Sequence, residues 1–305
     1  MPQSFDDHLE ATLQLCNDRI NQLEGSECSD GEMLDALINR GSVLCMMEYY
    51  VSALSDFNDA ADTILRMERR GEPVNPGSFV RVFTSRGELC EDKYQMAEDY
   101  ALASARLGEI GEDTRFYDRK KIINMCLNCC EDLLDGGHPG ETAPFAEKLN
   151  EMIAGHDDDW SENRRVEMLN INAQSMKDMN MYDEAAGYFS DAIDIGCSLL
   201  QRGVLDDRMS LIFAFVLRGD IEQEKGLIDQ YLLDRKAAIS MLEELMSVNK
   251  LDDLSVLIRL HQDIANTYLT LNMVTEAEEH LLREVVLSMD GAEEYIKEYA
   301  GKDRV

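Results

Sequence analysis

Along most of this chain the apolar residues recur three and four positions apart, the spacing of one helix face, and not in the alternation of a strand. Ser4 is placed to cap a first helix running to about Glu24, ahead of Gly25 and Ser26. Asp30 is placed to cap a second helix to about Glu48, and a third ends near Arg70 and Gly71. Residues 71–77 read as a loop from their glycines and prolines. Residues 135–140 form the strongest break, which either divides two sub-arrays or, the reading favoured because helical periodicity resumes at Ala143, joins two helices. Residues 154–159 form a further break that ends in acids, where the dipole of a starting helix favours them.

Internal repetition organises these helices. Gly41 and Leu44 are followed by Tyr50, then by Ala53, Phe57 and Ala60, whose spacing puts small and aromatic side chains on one face so that a second helix can lie close to the first. Ala173, Met176, Tyr182, Ala185, Phe189 and Ala192 repeat the pattern at the same relative positions. A third copy has Ala265, Tyr268, Ala277 and Leu281, with Val274 in place of the aromatic and Glu284 in place of a small residue. Weaker copies are centred on Ala97, with Tyr94 before it, on Ala143 and on Ala237. This arrangement resembles the tetratricopeptide repeat, with a step averaging about 45 residues where the family's usual period is about 34. Kinesin light chain is an example of lengthened repeats in that family. The resemblance implies an all-α, right-handed superhelical solenoid of antiparallel helix pairs. It divides the chain into an N-terminal capping helix (1–30), a repeat array (31–290), and a C-terminal cap helix and tail (291–305), with the cap helix itself at residues 293–299.

Composition agrees with a helical, folded chain: 305 residues, 45% hydrophobic, 30% charged, 7% aromatic and 5 prolines. The N-terminal residues have neither a basic nor an apolar signal-peptide region. The longest apolar run, at positions 211–217, is far short of the roughly 20 residues that a membrane span needs. Eight cysteines at irregular spacings, mostly in apolar helical phase, read as reduced buried thiols, and the expected location is the cytoplasm. A net charge of −32, spread along the chain, opposes any binding of nucleic acid. The acidic surplus serves either solubility, the favoured reading, or attraction of a basic partner.

Candidate chemistry is sparse. Cys126, Cys129 and Cys130 share a helical face, but no second ligand pair completes a zinc or iron-sulfur site. His138 and His156 fall in the nearest loops without a third group to orient a catalytic dyad, and His261 and His280 read as packing or surface residues. There is no phosphate loop, and residues 157–159 lack the spacing of a calcium loop. No cofactor, metal or catalysis is expected.

By the resemblance, the first helix of each pair lines a concave face. That implies a surface of Asp35, Ile38, Asn39, Ser42, Cys45 and Met46 in one repeat, and of Glu167, Asn170, Ile171, Gln174, Lys177 and Asp178 in another. The last repeat would present Arg259, Gln262, Asp263, Asn266, Leu269 and Thr270. Only Lys177 and Arg259 among them are cationic, so the carboxylate clamp of the family's chaperone adaptors is not reproduced. Asn and Gln suit the backbone of an extended peptide, and the acids select positive side chains. The resulting expectation is a protein-interaction scaffold or adaptor that holds a neutral or basic peptide on Asn39, Ser42, Met46, Asn170, Gln174, Lys177, Gln262 and Asn266. The alternative is a regulatory sensor whose superhelix changes shape on binding a peptide or small ligand. The partner's identity and the oligomeric state have no signature in the sequence.

Overall fold

A computed structural model describes residues 5–26, 29–112, 114, 118–248, 251 and 253–300, with side chains from residue 6 to residue 289. Ser4 and Cys28 lie outside the described residues. Among those residues the secondary structure is thirteen α-helices and one short 3-10 turn. They are α1 (Phe5–Glu24), α2 (Asp30–Met46), α3 (Tyr50–Arg69), α4 (Pro76–Glu88), α5 (Lys93–Leu107), α6 (Arg119–Gly136), α7 (Ala143–Ile153), α8 (Asp159–Asp178), α9 (Tyr182–Arg202), α10 (Arg208–Glu224), α11 (Ile228–Ser247), α12 (Ser255–Thr270) and α13 (Val274–Ala300). After α1 they form successive hairpins, so the expected tetratricopeptide-like, all-α architecture is present. The break at residues 135–140 falls inside the α6/α7 hairpin, whose linker is the 3-10 turn Pro139–Thr142.

Local sequence explains the helix ends. Ser29, not Asp30, caps α2. Its hydroxyl accepts the Glu32 N–H at 3.3 Å, and the Glu32 carboxylate accepts the Ser29 N–H at 3.2 Å. This reciprocal pair satisfies two otherwise orphaned donors. Asn75, Asp92, Asp118 and Asp207 cap α4, α5, α6 and α10 with their side-chain oxygens. Four of the turns inside hairpins hold one residue in the left-handed region, at Glu48, Asn180, Gly226 and Asn272. In three of them the next N–H reaches back five residues, from Tyr49 to Leu44, Leu227 to Glu222 and Met273 to Tyr268, satisfying carbonyls at the helix end.

The chain divides into two compact units, residues 1–156 with 174–179, and residues 157–173 with 180–305. In the first unit, Phe57 packs on Gly41, where an added Cβ would come 3.0 Å from the ring, and Tyr100 lies still closer against Gly87. In the second, Ile212, Leu242, Leu260, Ile264 and Leu287 join α10 through α13 in one buried cluster.

An arginine precedes three of the close-approach glycines and makes a two-pronged pair with a buried aspartate of the partner helix. Arg40 binds Asp56 at 2.6 and 2.8 Å, Arg86 holds Asp99, and Arg218 binds Asp234 at 2.7 and 2.8 Å. Each aspartate hydrogen bond raises the affinity of its arginine for the proton, so these charges are fixed at every working pH. Removing one partner of such a pair leaves a buried charge and costs about 3–5 kcal/mol.

These pairs correct the repeat register. Close-approach positions 41, 87, 173, 219 and 265 step by 46, 86, 46 and 46 residues, and Gly219 faces Tyr231. Tyr231, three residues into α11, therefore stands where the sequence reading placed Ala237, and in α7 the equivalent residue is the buried Ala146, not Ala143. In α11 Tyr231 stands at the position of Ala53 in α3 and Arg235 at that of Phe57, so the order of small residue and then aromatic is lost, and this hid the register. Residues 293–299, expected as a separate cap helix, are the last part of the continuous α13.

Candidate functional site

The α2 residues Asn39 and Met46 are exposed, and Asn39 has no hydrogen-bond partner among the described residues. Ser42 donates to the Ile38 carbonyl at 2.6 Å and accepts from Arg81 of α4 at 2.8 Å. Ile38 and Ile171, expected on the presented surface, are buried instead, because each lies on the side of its helix that faces the core.

On α8, Asn170 donates to the Ser210 carbonyl and hydroxyl at 3.1 and 2.8 Å, so its amide is engaged by α10. Gln174 donates to Asp178 at 2.6 Å, and both line a shallow hollow of about 430 Å³ with Glu131 and Asp135. Lys177 is half-buried in the last turn of α8. On α12, Gln262 donates to Glu284 at 2.6 Å, which explains why that position departs from the small residue of the repeat, and Asn266 is exposed.

A cavity in the first unit uses none of these residues directly. It has a volume of about 610 Å³ and opens between α4 and α6, the first helices of successive hairpins. Val80, Ile110, Ile122 and Met125 give it an apolar floor. Thr84 and Ser85 of α4 face Asn124 and Asn128 of α6, which sit one turn apart, are exposed, and have no hydrogen-bond partner among the described residues. Arg81, near the middle of α4, and Lys121, in the first turn of α6, line the cavity together with Asp118, whose carboxylate lies 3.9 Å from the Lys121 ammonium, and Glu88 lines it at the end of α4. Beneath Glu88, the fully buried Tyr100 donates its hydroxyl to Asp132 at 2.5 Å. Burial, and then the neighbouring Asp132 charge, hold the Glu88 carboxyl above its usual range, while burial lowers the Arg81 value.

The sequence reading stopped at the weak middle repeats and missed these residues. The signal available was the dipeptide Arg-Gly at 86–87, which matches 40–41 and sets the register of α4.

Cys126, Cys129 and Cys130 are buried in α6. Burial pushes the Cys126 thiol up to about 12 and the Cys129 thiol well above the ordinary value, so neither forms a thiolate nucleophile near neutrality. His138 rests edge-on against Tyr94. No group of three or more His, Cys, Asp or Glu side chains is arranged to hold a metal among the described residues. No helix described is long and apolar enough to cross a membrane.

By sequence, no family model and no curated protein matches the chain. By structure it is similar to the apo form of RapI, with a TM-score of 0.60 and 13% identity over 93% of this chain and 77% of that one. It is also similar to aspartyl phosphate phosphatase F from Bacillus subtilis, with a TM-score of 0.55 and 14% identity over 93% of this chain and 71% of that one. A signal transduction ATPase with numerous domains from Pyrococcus horikoshii, which has a tetratricopeptide repeat sensor, matches 97% of this chain with 44% of its own, at a TM-score of 0.52 and 10% identity. At these identities the likeness bears on architecture alone, and the architecture is the tetratricopeptide-like array of helix hairpins.

Proposed function

We propose that this chain is a protein-interaction scaffold that holds a neutral or basic peptide segment on the first helices of its hairpins and performs no catalysis itself. The observation that carries this reading is the α4/α6 cavity, with its apolar floor and the unengaged amides of Asn124 and Asn128 one turn apart. Carboxamides at that spacing can each donate to and accept from the backbone of an extended peptide without reading its sequence. Exposed Asn39 and Met46 continue the contact surface on α2, and Asn266 offers the same chemistry on α12. Ser42, through Arg81, positions the α4 side of the cavity, and Asn170 and Gln262 hold neighbouring helices in place. Gln174 and Lys177 belong to a further contact on α8. The binding module is the array from 31 to 290, with α1 packed on α2 at its start and the last part of α13 at its end.

The net charge of −32 supports a protein or peptide partner over nucleic acid, and the free thiols, of which Cys126, Cys129 and Cys130 are buried and Cys16, Cys45, Cys90 and Cys197 are only partly so, suit the cytoplasm. Titration with mixed-sequence decapeptide pools tests the reading. A lysine-bearing pool should bind, an acidic pool should bind at least about tenfold more weakly, and N124A/N128A should weaken binding by about tenfold while leaving the helical signal intact. Peptide binding indifferent to that double substitution, or a catalytic turnover that survives it, defeats the proposal.

A further inference from the structure

Each of the long second helices α3, α9 and α11 has a side that the next hairpin covers. Two positions mark it, three residues apart and so on one helix face: Ala61 and Ile64 in α3, Ile193 and Gly196 in α9, Ile239 and Leu242 in α11. All six are buried. The cover is the first helix of the following hairpin. α4 packs on α3, Leu211 of α10 lies against Gly196, and Leu257 and Leu260 of α12 join Ile239 and Leu242 in one cluster.

In α13 the residues at the same distances from the helix start are Val285 and Ser288, and both are exposed, Val285 to 54%. Beside them Leu282, Val286 and Met289 are exposed to 68%, 45% and 63%, whereas Ala277 and Leu287, on the opposite side of the helix, are buried in the core cluster with α12. Among the described residues no helix takes on α13 the place that α4, α10 and α12 take on α3, α9 and α11. A terminal repeat ordinarily turns a polar face outward, because an apolar one invites association.

The charge around this stripe is of one sign. Glu278 and Glu279 stand four and three residues before Leu282, next to it on the helix surface, and both are exposed with no ion pair among the described residues. Arg283 offers no counterweight, since its guanidinium is held by Glu243 at 3.0 Å.

We propose that this face of α13 docks an amphipathic α-helix of another protein, apolar along one side and edged with lysine or arginine, which sits where the first helix of a next hairpin would sit. The open positions fix the shape of the occupant, because a helix covers their equivalents elsewhere in the chain. The acids fix its charge. A second copy of α13 would fit the shape but not the charge, as this helix is far richer in acidic than in basic residues. The surface is separate from the α4/α6 cavity and does not depend on it.

Fluorescence anisotropy with the full chain at about 0.15 M salt tests this with two synthetic helices of about 18 residues, blocked at both ends. They share one alanine and leucine face and differ only in carrying lysine or glutamate along its edges. The lysine-edged helix should bind at least about tenfold more tightly than the glutamate-edged one. L282S/V285S/M289S should weaken it by at least about tenfold with an unchanged melting curve, since all three side chains are exposed. That variant keeps every charge, so it separates docking on α13 from general attraction to an acidic protein. Binding that survives the triple substitution places the peptide elsewhere and overturns the proposal, as does no binding at all. Equal binding of the glutamate-edged helix removes the basic partner. Sedimentation of the chain as a dimer that the triple substitution dissolves gives the face to a second copy instead.

Discussion

At the scale of single residues, two buried groups of the second unit pull its stability in opposite directions with pH. His261 and His280 face each other Nδ1 to Nδ1 at 2.9 Å, a contact that one shared proton satisfies and a second would turn into two touching cations. Burial, the facing His280 and the nearby Arg283 lower His261 to about 4, with Glu243 and Glu279 opposing only in part; His280 is lowered too, chiefly by burial. The unfolded chain takes up this proton near pH 6.5, so stability present above that value is lost as the pH falls toward 4. Glu222 has the opposite sign. Burial and then Asp234 raise it to about 7, so between pH 7 and 4.5 the native chain accepts a proton that the unfolded chain refuses, and acid stabilises it. The two effects offset each other across the shared window. Urea midpoints of the natural chain should therefore change little between about pH 7 and 5, whereas E222Q should lose on the order of 2 kcal/mol over that range. An E222Q variant as insensitive to pH as the natural chain contradicts the assignment.

At the scale of elements, the repeated hairpin turn offers a direct comparison of residues in one conformation. Asn180, Gly226, Asn272 and Glu48 all adopt positive φ there. Glycine and asparagine tolerate that left-handed region, whereas the Cβ of Glu48 crowds its own backbone. Glu48→Gly should stabilise the first unit by about 0.5–1 kcal/mol, read as a higher melting temperature; an unchanged or lower value shows that the exposed Glu48 side chain has compensating contacts. The same turn shows what the sequence could disclose. Hairpins with an alanine three residues into the second helix, Ala53, Ala185 and Ala277, were legible because small and aromatic residues stood at family spacing. The α10/α11 hairpin sets Tyr231 where the others have that alanine and Arg235 where α3 has Phe57, so the family spacing is broken even though Gly219 still packs against Tyr231. The candidate site was harder still. Its residues come from two helices whose repeats were placed only loosely, and a cavity exists only once both are packed, so Asn124, Asn128 and Glu88 had no signal of their own.

At the scale of the whole molecule, the charge of −32 is the dominant long-range force, and the sequence discloses it fully. It arises from 61 acidic side chains against 29 basic ones, so at least half of the acids have no basic partner to offset them. The attractive pairs that matter most, Arg40 with Asp56, Arg86 with Asp99 and Arg218 with Asp234, have aspartates almost wholly removed from solvent, where mobile ions screen weakly. Repulsion among the surplus carboxylates is spread over the surface, where a Debye length of about 10 Å at 0.1 M salt cuts it sharply. Salt therefore weakens the destabilising interactions far more than the stabilising ones. Raising sodium chloride from about 10 mM to about 0.5 M should increase the melting temperature by several degrees, with most of the gain below about 0.2 M as the screening length contracts. A melting temperature that falls across this range would place the net electrostatic stabilisation in exposed ion pairs such as Arg202 with Asp159, and the buried arginine pairs would lose their place as the main charge contribution.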